Sequence, residues 1–195
     1  MMKMNNVILL FVLFKIWIVS ISFQTNSEKI EWSEYRKLTF NDFKGVPPEG
    51  VENIFKAVST IDINIGRLDW NRNSFSFRIF AEFYCNESWI GQFARSNKVL
   101  IHEQIHFDIA EIYARKLRSK LNGKRINNSS KFLKNLNKIL NDTREKMLAY
   151  QLQYDKETDH SRNYEKQKEW NAKIAKQLKL LERYKNSKVT IFFKN

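Results

Sequence analysis

His102, Glu103 and His106 stand together in VLIHEQIHFDIAEIYARKL, residues 99–117, and two of the chain's three histidines are among them. In a helix, residues four apart lie one turn apart on the same face. His102 and His106 can therefore present ring nitrogens to one ion. Glu103 projects about 100° round from His102, near enough to meet a water beside that ion without taking a ligand position. Two neutral imidazoles suit Zn²⁺, and the ion lowers the pKa of its water toward ~7. A carboxylate at Glu103 would accept the proton and pass it to a leaving amine. The pattern reads as a metallohydrolase site, most directly that of a peptidase. The alternative is three polar residues that happen to fall on a helix. Against it stand Val99, Leu100, Ile101, Ile105, Phe107 and Ile109, which make the helix apolar on both sides of the motif. Polar groups buried among them need partners, and a metal supplies one.

A catalytic zinc needs a third protein ligand. Asp108 and Glu111 sit about 140° or more from His106 round the helix, so they read as supporting or surface groups. The remaining histidine, His160, lies in YDKETDHSRNYEKQKEW. That stretch falls between two later helices, where a loop can bring the imidazole over the ion. Glu145, Asp155 and Glu157 are rivals for the same role. Tyr154 and Tyr164, near His160, are candidates to donate to a developing oxyanion, although tyrosines there serve equally well as packing residues.

The elements that must position these groups follow from periodicity. Residues 28–55 read as irregular, with a loop marked by Gly45, Pro47, Pro48 and Gly50. AVSTIDINI (57–65) and SFSFRIFAEFY (74–84) alternate with period two, as half-buried strands do. In the second, Phe75, Phe77, Ile79, Ala81 and Phe83 share one face, and RLDWNRN between the two reads as a hairpin connection. After residue 95 the period becomes helical. Ser96 can cap a helix running to about Asn122, with Gly123 in the stop position. A second helix fits about Ser130 to Tyr154, and a third about Asn163 to Tyr184 with Trp170, Ile174, Leu178 and Leu181 on one stripe. VTIFF near the end reads as a last strand. The expectation is one α+β domain over 23–195, a small antiparallel sheet followed by three long helices, with a zincin-like metal helix among them.

Only five Gly and two Pro occur, which argues against an all-β fold rich in tight turns. The net charge is +13, but the lysines are dispersed among Asn, Ile and Glu, as on a solvated surface. Residues 1–22, MMKMNNVILLFVLFKIWIVSIS, differ: an early Lys, an apolar run, small residues at the end and no acid. They read as a secretory signal cut after Ser22, or as an uncleaved anchor. Export, to the medium or to the periplasm and cell envelope, is the expectation. Cys85, the single cysteine, excludes an intrachain disulfide and a Cys-rich zinc site. A buried free thiol is expected.

HEQIHFDIAEIYARKL resembles the central motif of the DUF922 family, read as secreted zinc-dependent proteases of bacteria. LTFNDFKGVPP is similar to that family's N-terminal Leu-Thr-Trp-x-Asp-Phe-x-Gly element, with Phe40 in place of Trp. SWIGQ (88–92) resembles its Ser-Trp segment. YDKETDHSRNYEKQKEW resembles its Tyr-Asp-x-Glu-Thr-x-His-Gly segment, followed by a Gln and a Trp, here Gln167 and Trp170. The similarity spans roughly residues 33–178. It implies His160 as the third ligand and an exported or envelope protein, and it departs at Ser161, where the family has Gly.

Two functions compete. One is a zinc peptidase with His102, His106 and His160 as ligands, Glu103 as base, and a peptide or protein as substrate. The other is a non-enzymatic envelope module with a structural metal and basic helices that contact anionic polymer or lipid. Glu103 separates them, because a structural site has no use for a carboxylate beside its first ligand. Nucleic-acid binding has charge alone in its favour and the secretory signal against it.

Overall fold

The computed structural model describes residues 28–50 and 56–194. The signal-like segment 1–22 lies outside them. Among the described residues no helix is long and apolar enough to cross a membrane.

The fold is mixed α+β. Its strands are β1 (Lys29–Glu31), β2 (Ala57–Val58), β3 (Ile61–Ile65), β4 (Asp69–Trp70), β5 (Ser74–Tyr84), β6 (Trp89–Ile90), β7 (Arg125–Ile126) and β8 (Lys188–Phe193). Its helices are α1 (Asn97–Leu121), α2 (Ser129–Thr158) and α3 (Tyr164–Leu180). β5 is the spine of a six-stranded sheet. β3 and β4 pair antiparallel along one edge of it, β1 and β8 along the other, and β7 adds parallel to β8. The alternation in β5 does what its pattern requires. Phe75, Phe77, Ile79, Ala81 and Phe83 are all buried on one face, and each large one contributes roughly 1.5–3 kcal/mol by leaving water. The period-two stretch 57–65 breaks into two strands because the chain changes partner. Ala57 and Val58 pair with Ile90 and Trp89 in a separate two-stranded ribbon, while Ile61 onward pairs with β5. Ser88 fixes the switch: its hydroxyl accepts from Thr60 N at 2.9 Å and donates to Tyr84 O at 2.8 Å.

α1 begins at the Ser96 cap, whose hydroxyl accepts from Val99 N, and ends before Gly123 at φ 79°. It lies between the sheet and the other two helices, with Phe107 5.9 Å from Phe83 between ring centres. That placement explains why it is apolar on both sides. It also forces every polar residue on the helix to find a partner. Asp108 accepts from Trp32 Nε1 at 2.7 Å and Gln104 Nε2 at 2.8 Å, and Glu111 pairs with Arg115 and Arg118. Both acids are buried structural groups, not surface ones. The LTFNDFKG stretch docks on the same helix through Leu38 N, which donates to Gln104 Oε1 at 2.8 Å. It closes on the β5–β6 turn at Gly45, where a Cβ would lie 2.9 Å from the Ser88 carbonyl oxygen.

α2 runs one turn beyond the Tyr154 end expected from its pattern, to Thr158. Asp159, His160 and Ser161 then adopt φ of 49°, 49° and 72°, and His160 N donates to Asp155 O at 3.0 Å. This left-handed turn folds His160 back over the end of α2. A non-glycine residue there costs about 1–2 kcal/mol, which explains why a glycine suits position 161. Ser161→Gly should raise stability by up to about 1 kcal/mol, the relief being partly offset by unfolded-chain entropy. Urea denaturation measures it, and a loss of stability would refute the strain argument. Cys85 is a buried free thiol.

Candidate metal centre

His102 and His106 point from one face of α1 toward the last turns of α2. Their Nε2 atoms are 3.3 Å apart, and Asp155 Oδ1 lies 3.0 Å from the first and 2.9 Å from the second. The three ligand atoms all fall within 4.8 Å of one another. Two nitrogens bound at ~2.0–2.1 Å to a tetrahedral ion stand about 3.3–3.4 Å apart, so the imidazoles already have the spacing a zinc ion asks for. Two histidines and one carboxylate also form a donor set that suits a catalytic zinc.

Electrostatics agree with an anionic ligand facing two imidazoles. Burial alone would push the Asp155 carboxyl up, but the hydrogen bonds and charge of His102 and His106 hold it well below the usual carboxylate range. Burial opposes charging of His106, yet the hydrogen bond and charge of Asp155, with Glu103 behind it, raise its pKa.

These groups form part of the lining of a cleft of about 1010 Å³. One wall is the β2–β6 ribbon, with Ala57, Val58 and Ser59, continued by Gln92 and Phe93. The other is the end of α2 and the turn after it. Glu103 lies in the same cleft, buried, and its Oε2 accepts a hydrogen bond from Ser59 Oγ at 2.6 Å. The ribbon thus fixes the carboxylate next to the two histidines.

The residues expected from sequence divide as follows. His102, Glu103 and His106 come together as their spacing requires. Asp155, one of three rivals for the third ligand, stands within the compact cluster. His160 is carried to the rim of the same cleft, its Nδ1 3.8 Å from Asp155 Oδ1 and its side chain 55% exposed. Glu145 is exposed on α2, and Glu157 accepts from Trp170 Nε1 at 2.8 Å; neither lines the cleft. Tyr154 and Tyr164 do not line it either. Tyr154 is fully buried beneath the histidines, stacked on His102 at 4.5 Å, and its hydroxyl is engaged by Gln167 and the His102 carbonyl. Burial pushes its pKa well above the usual phenol value. Tyr164 is exposed at the start of α3, with Lys98 and Lys168 over its ring. Tyr154 thus packs beneath the centre and Tyr164 lies at the surface, and neither lines the cleft.

Sequence reasoning did not find Ser59 or Gln167 as partners of the motif. Ser59 sat on the inward face of a period-two stretch, a weak signal. Gln167 is on a buried stripe of α3 with Trp170 and Ile174, and an amide on an apolar stripe is a cue for a polar partner.

The class defined by these observations is an α+β protein with a two-histidine, one-carboxylate cluster at the floor of an open cleft. Comparison with known families matches part of the chain. Residues 88–161 match the DUF922 family model, described as a bacterial protein of unknown function. The resemblance drawn from the motifs is therefore borne out across the segment that carries His102, Glu103, His106, Asp155 and His160. No curated protein and no solved structure was found to match the chain.

Proposed function

We propose that this protein is an exported zinc-dependent hydrolase acting on peptide bonds, with His102, His106 and Asp155 holding the ion and Glu103 as general base. The observation that carries the reading is Glu103. It is a buried carboxylate, oriented by Ser59 Oγ at 2.6 Å, in the same cleft as a donor set of zinc spacing. A zinc ion there supplies a Lewis acid and lowers the pKa of its water toward ~7. Glu103 accepts the proton from the attacking water at its carboxylate and returns it to the leaving amine. In this reading the peptide would lie in the cleft of about 1010 Å³ between the β2–β6 ribbon and the end of α2. The same donor set alone would also suit Fe²⁺, but a redox centre gives the neighbouring carboxylate no task.

One observation favours the rival reading, an envelope module with a structural metal. His160 Nδ1 is 3.8 Å from Asp155 Oδ1, outside the compact three-ligand cluster, and as a fourth ligand it would close the site as structural zinc sites are closed. With Asp155 as the third ligand, His160→Ala keeps its zinc. Loss of the metal in that variant would make His160 a ligand, and cleavage of a peptide library by the wild type would then separate a hydrolase from a structural site.

Zinc at 100 times its dissociation constant should add about 2.7 kcal/mol of stability to the metal-free protein. Thermal melts with and without metal, beside elemental analysis of protein purified without added metal, measure this. No bound metal and no shift with Zn²⁺ would remove the proposal.

A further inference from the structure

α3 contributes no residue to the cleft lining, yet it reaches the centre from beneath. Gln167 Oε1 lies 3.1 Å from His102 Nδ1, and both side chains are buried. A neutral imidazole has one N–H and one lone pair. If Nε2 is to offer its lone pair to an ion, the proton must sit on Nδ1, and away from water it must find an acceptor. Gln167 is the acceptor at hand. The direction of its amide is fixed on the other side. Gln167 Nε2 donates to Asn171 Oδ1 at 2.8 Å and to the Tyr154 hydroxyl at 2.7 Å. Exchanging the Gln167 amide alone would set two carbonyl oxygens, those of Gln167 and Asn171, face to face, and would turn an N–H toward His102 Nδ1. The Tyr154 hydroxyl lies 2.9 Å from Gln167 Oε1 and 3.3 Å from the His102 carbonyl, the two acceptors within reach of its one proton, and the tyrosine ring lies within 21° of parallel to the imidazole. Ring plane, tautomer and backbone of His102 are thus held by one network joining α1, α2 and α3.

We infer that Gln167 is the positioning residue for His102: its side-chain carbonyl holds a proton on Nδ1, so that when an ion takes the place of the hydrogen bond between Nε2 and Asp155, the Nε2 lone pair faces that ion together with His106 and Asp155. The inference rests on the metal reading of the cluster and deepens it. It assigns α3 the task of setting the ligand's tautomer. It also makes the acceptor neutral, so the ring is oriented without the added basicity a carboxylate would give it.

Two substitutions of similar size test this in the full chain. Gln167→Met keeps volume and removes the acceptor, whereas Gln167→Glu restores an acceptor. Zinc affinity, measured by competition with a chromogenic chelator, should fall 10–100-fold in Gln167→Met and return to at least the wild-type value in Gln167→Glu. A packing role alone predicts the reverse order, with methionine tolerated and the buried carboxylate worst, and that order would overturn the inference. The metal-free protein gives a readout independent of zinc. Ring ¹⁵N spectra should show a proton on His102 Nδ1 in wild type, beside the Nε2–H that faces Asp155, and should show Nδ1 without its proton in Gln167→Met. A wild-type His102 protonated only at Nε2 overturns the inference, whereas a wild type with the expected Nδ1 proton and no zinc affinity overturns the metal reading instead.

Discussion

Glu103→Gln should abolish hydrolysis to within a hundredth of the wild-type rate or less while leaving zinc content and fold intact. The glutamine keeps the volume of the side chain and can still meet the Ser59 hydroxyl, which donates to Glu103 at 2.6 Å. It loses the negative charge and the ability to accept a proton. A positioned general base contributes typically 10²–10⁴-fold, so ~100-fold is the low end of the expected loss. Glu103 is not one of the three atoms that form the compact cluster. Metal affinity should therefore stay near wild type, and the loss should appear in kcat. A broad peptide library, scored by mass spectrometry, supplies substrates without presupposing one. Equal cleavage by both proteins would remove Glu103 from the chemistry. Cleavage by neither would leave the envelope-module reading in possession.

Asp155→Asn is the second large effect, and it falls on the metal. Asp155 Oδ1 is shared by two imidazole nitrogens at 3.0 and 2.9 Å, in a site where both histidines are buried. An asparagine preserves shape and can accept one hydrogen bond through its amide oxygen, but it removes the anionic donor. Zinc affinity should fall by more than the ~100-fold that loss of an orienting partner costs. His160→Ala should have the smaller effect, because His160 stands at the rim with its side chain half exposed. Measuring both variants by the same competition titration ranks them directly. If His160→Ala proves the more damaging, the resemblance-based ligand assignment is right and Asp155 is its supporting group.

The difference between these two residues marks where sequence stops being informative. The His102–Glu103–His106 face was legible because one helix fixes it, and helical geometry needs no tertiary contact. The buried face of β5 was legible for the same reason, since alternation within a single strand assigns Phe75 to Phe83 to one side. The third ligand depends on where α2 ends relative to α1. Asp155 and His160 are only five residues apart, and the apolar pattern fades after Tyr154, just where the helix continues for one more turn. Which of them meets the histidines is decided by the left-handed turn at 159–161, and non-glycine residues at positive φ leave no propensity signal. The partners Ser59 and Gln167 come from a split strand and from another helix. Their roles arise from packing; the amide on the apolar stripe of α3 and the serine on the inward face of the strand stretch mark buried polar groups without naming their partners. β7, two residues long, was likewise unreadable, because parallel pairing with β8 is a long-range event.

The central claim is a metal held by His102, His106 and Asp155 at the floor of the cleft, and diffraction from zinc-loaded crystals at the zinc absorption edge tests it most directly. One anomalous peak per chain should appear, ~2.0–2.1 Å from Nε2 of His102 and of His106 and ~2.0–2.2 Å from a carboxylate oxygen of Asp155. A peak elsewhere, or no peak between these three side chains at saturating zinc, would contradict it.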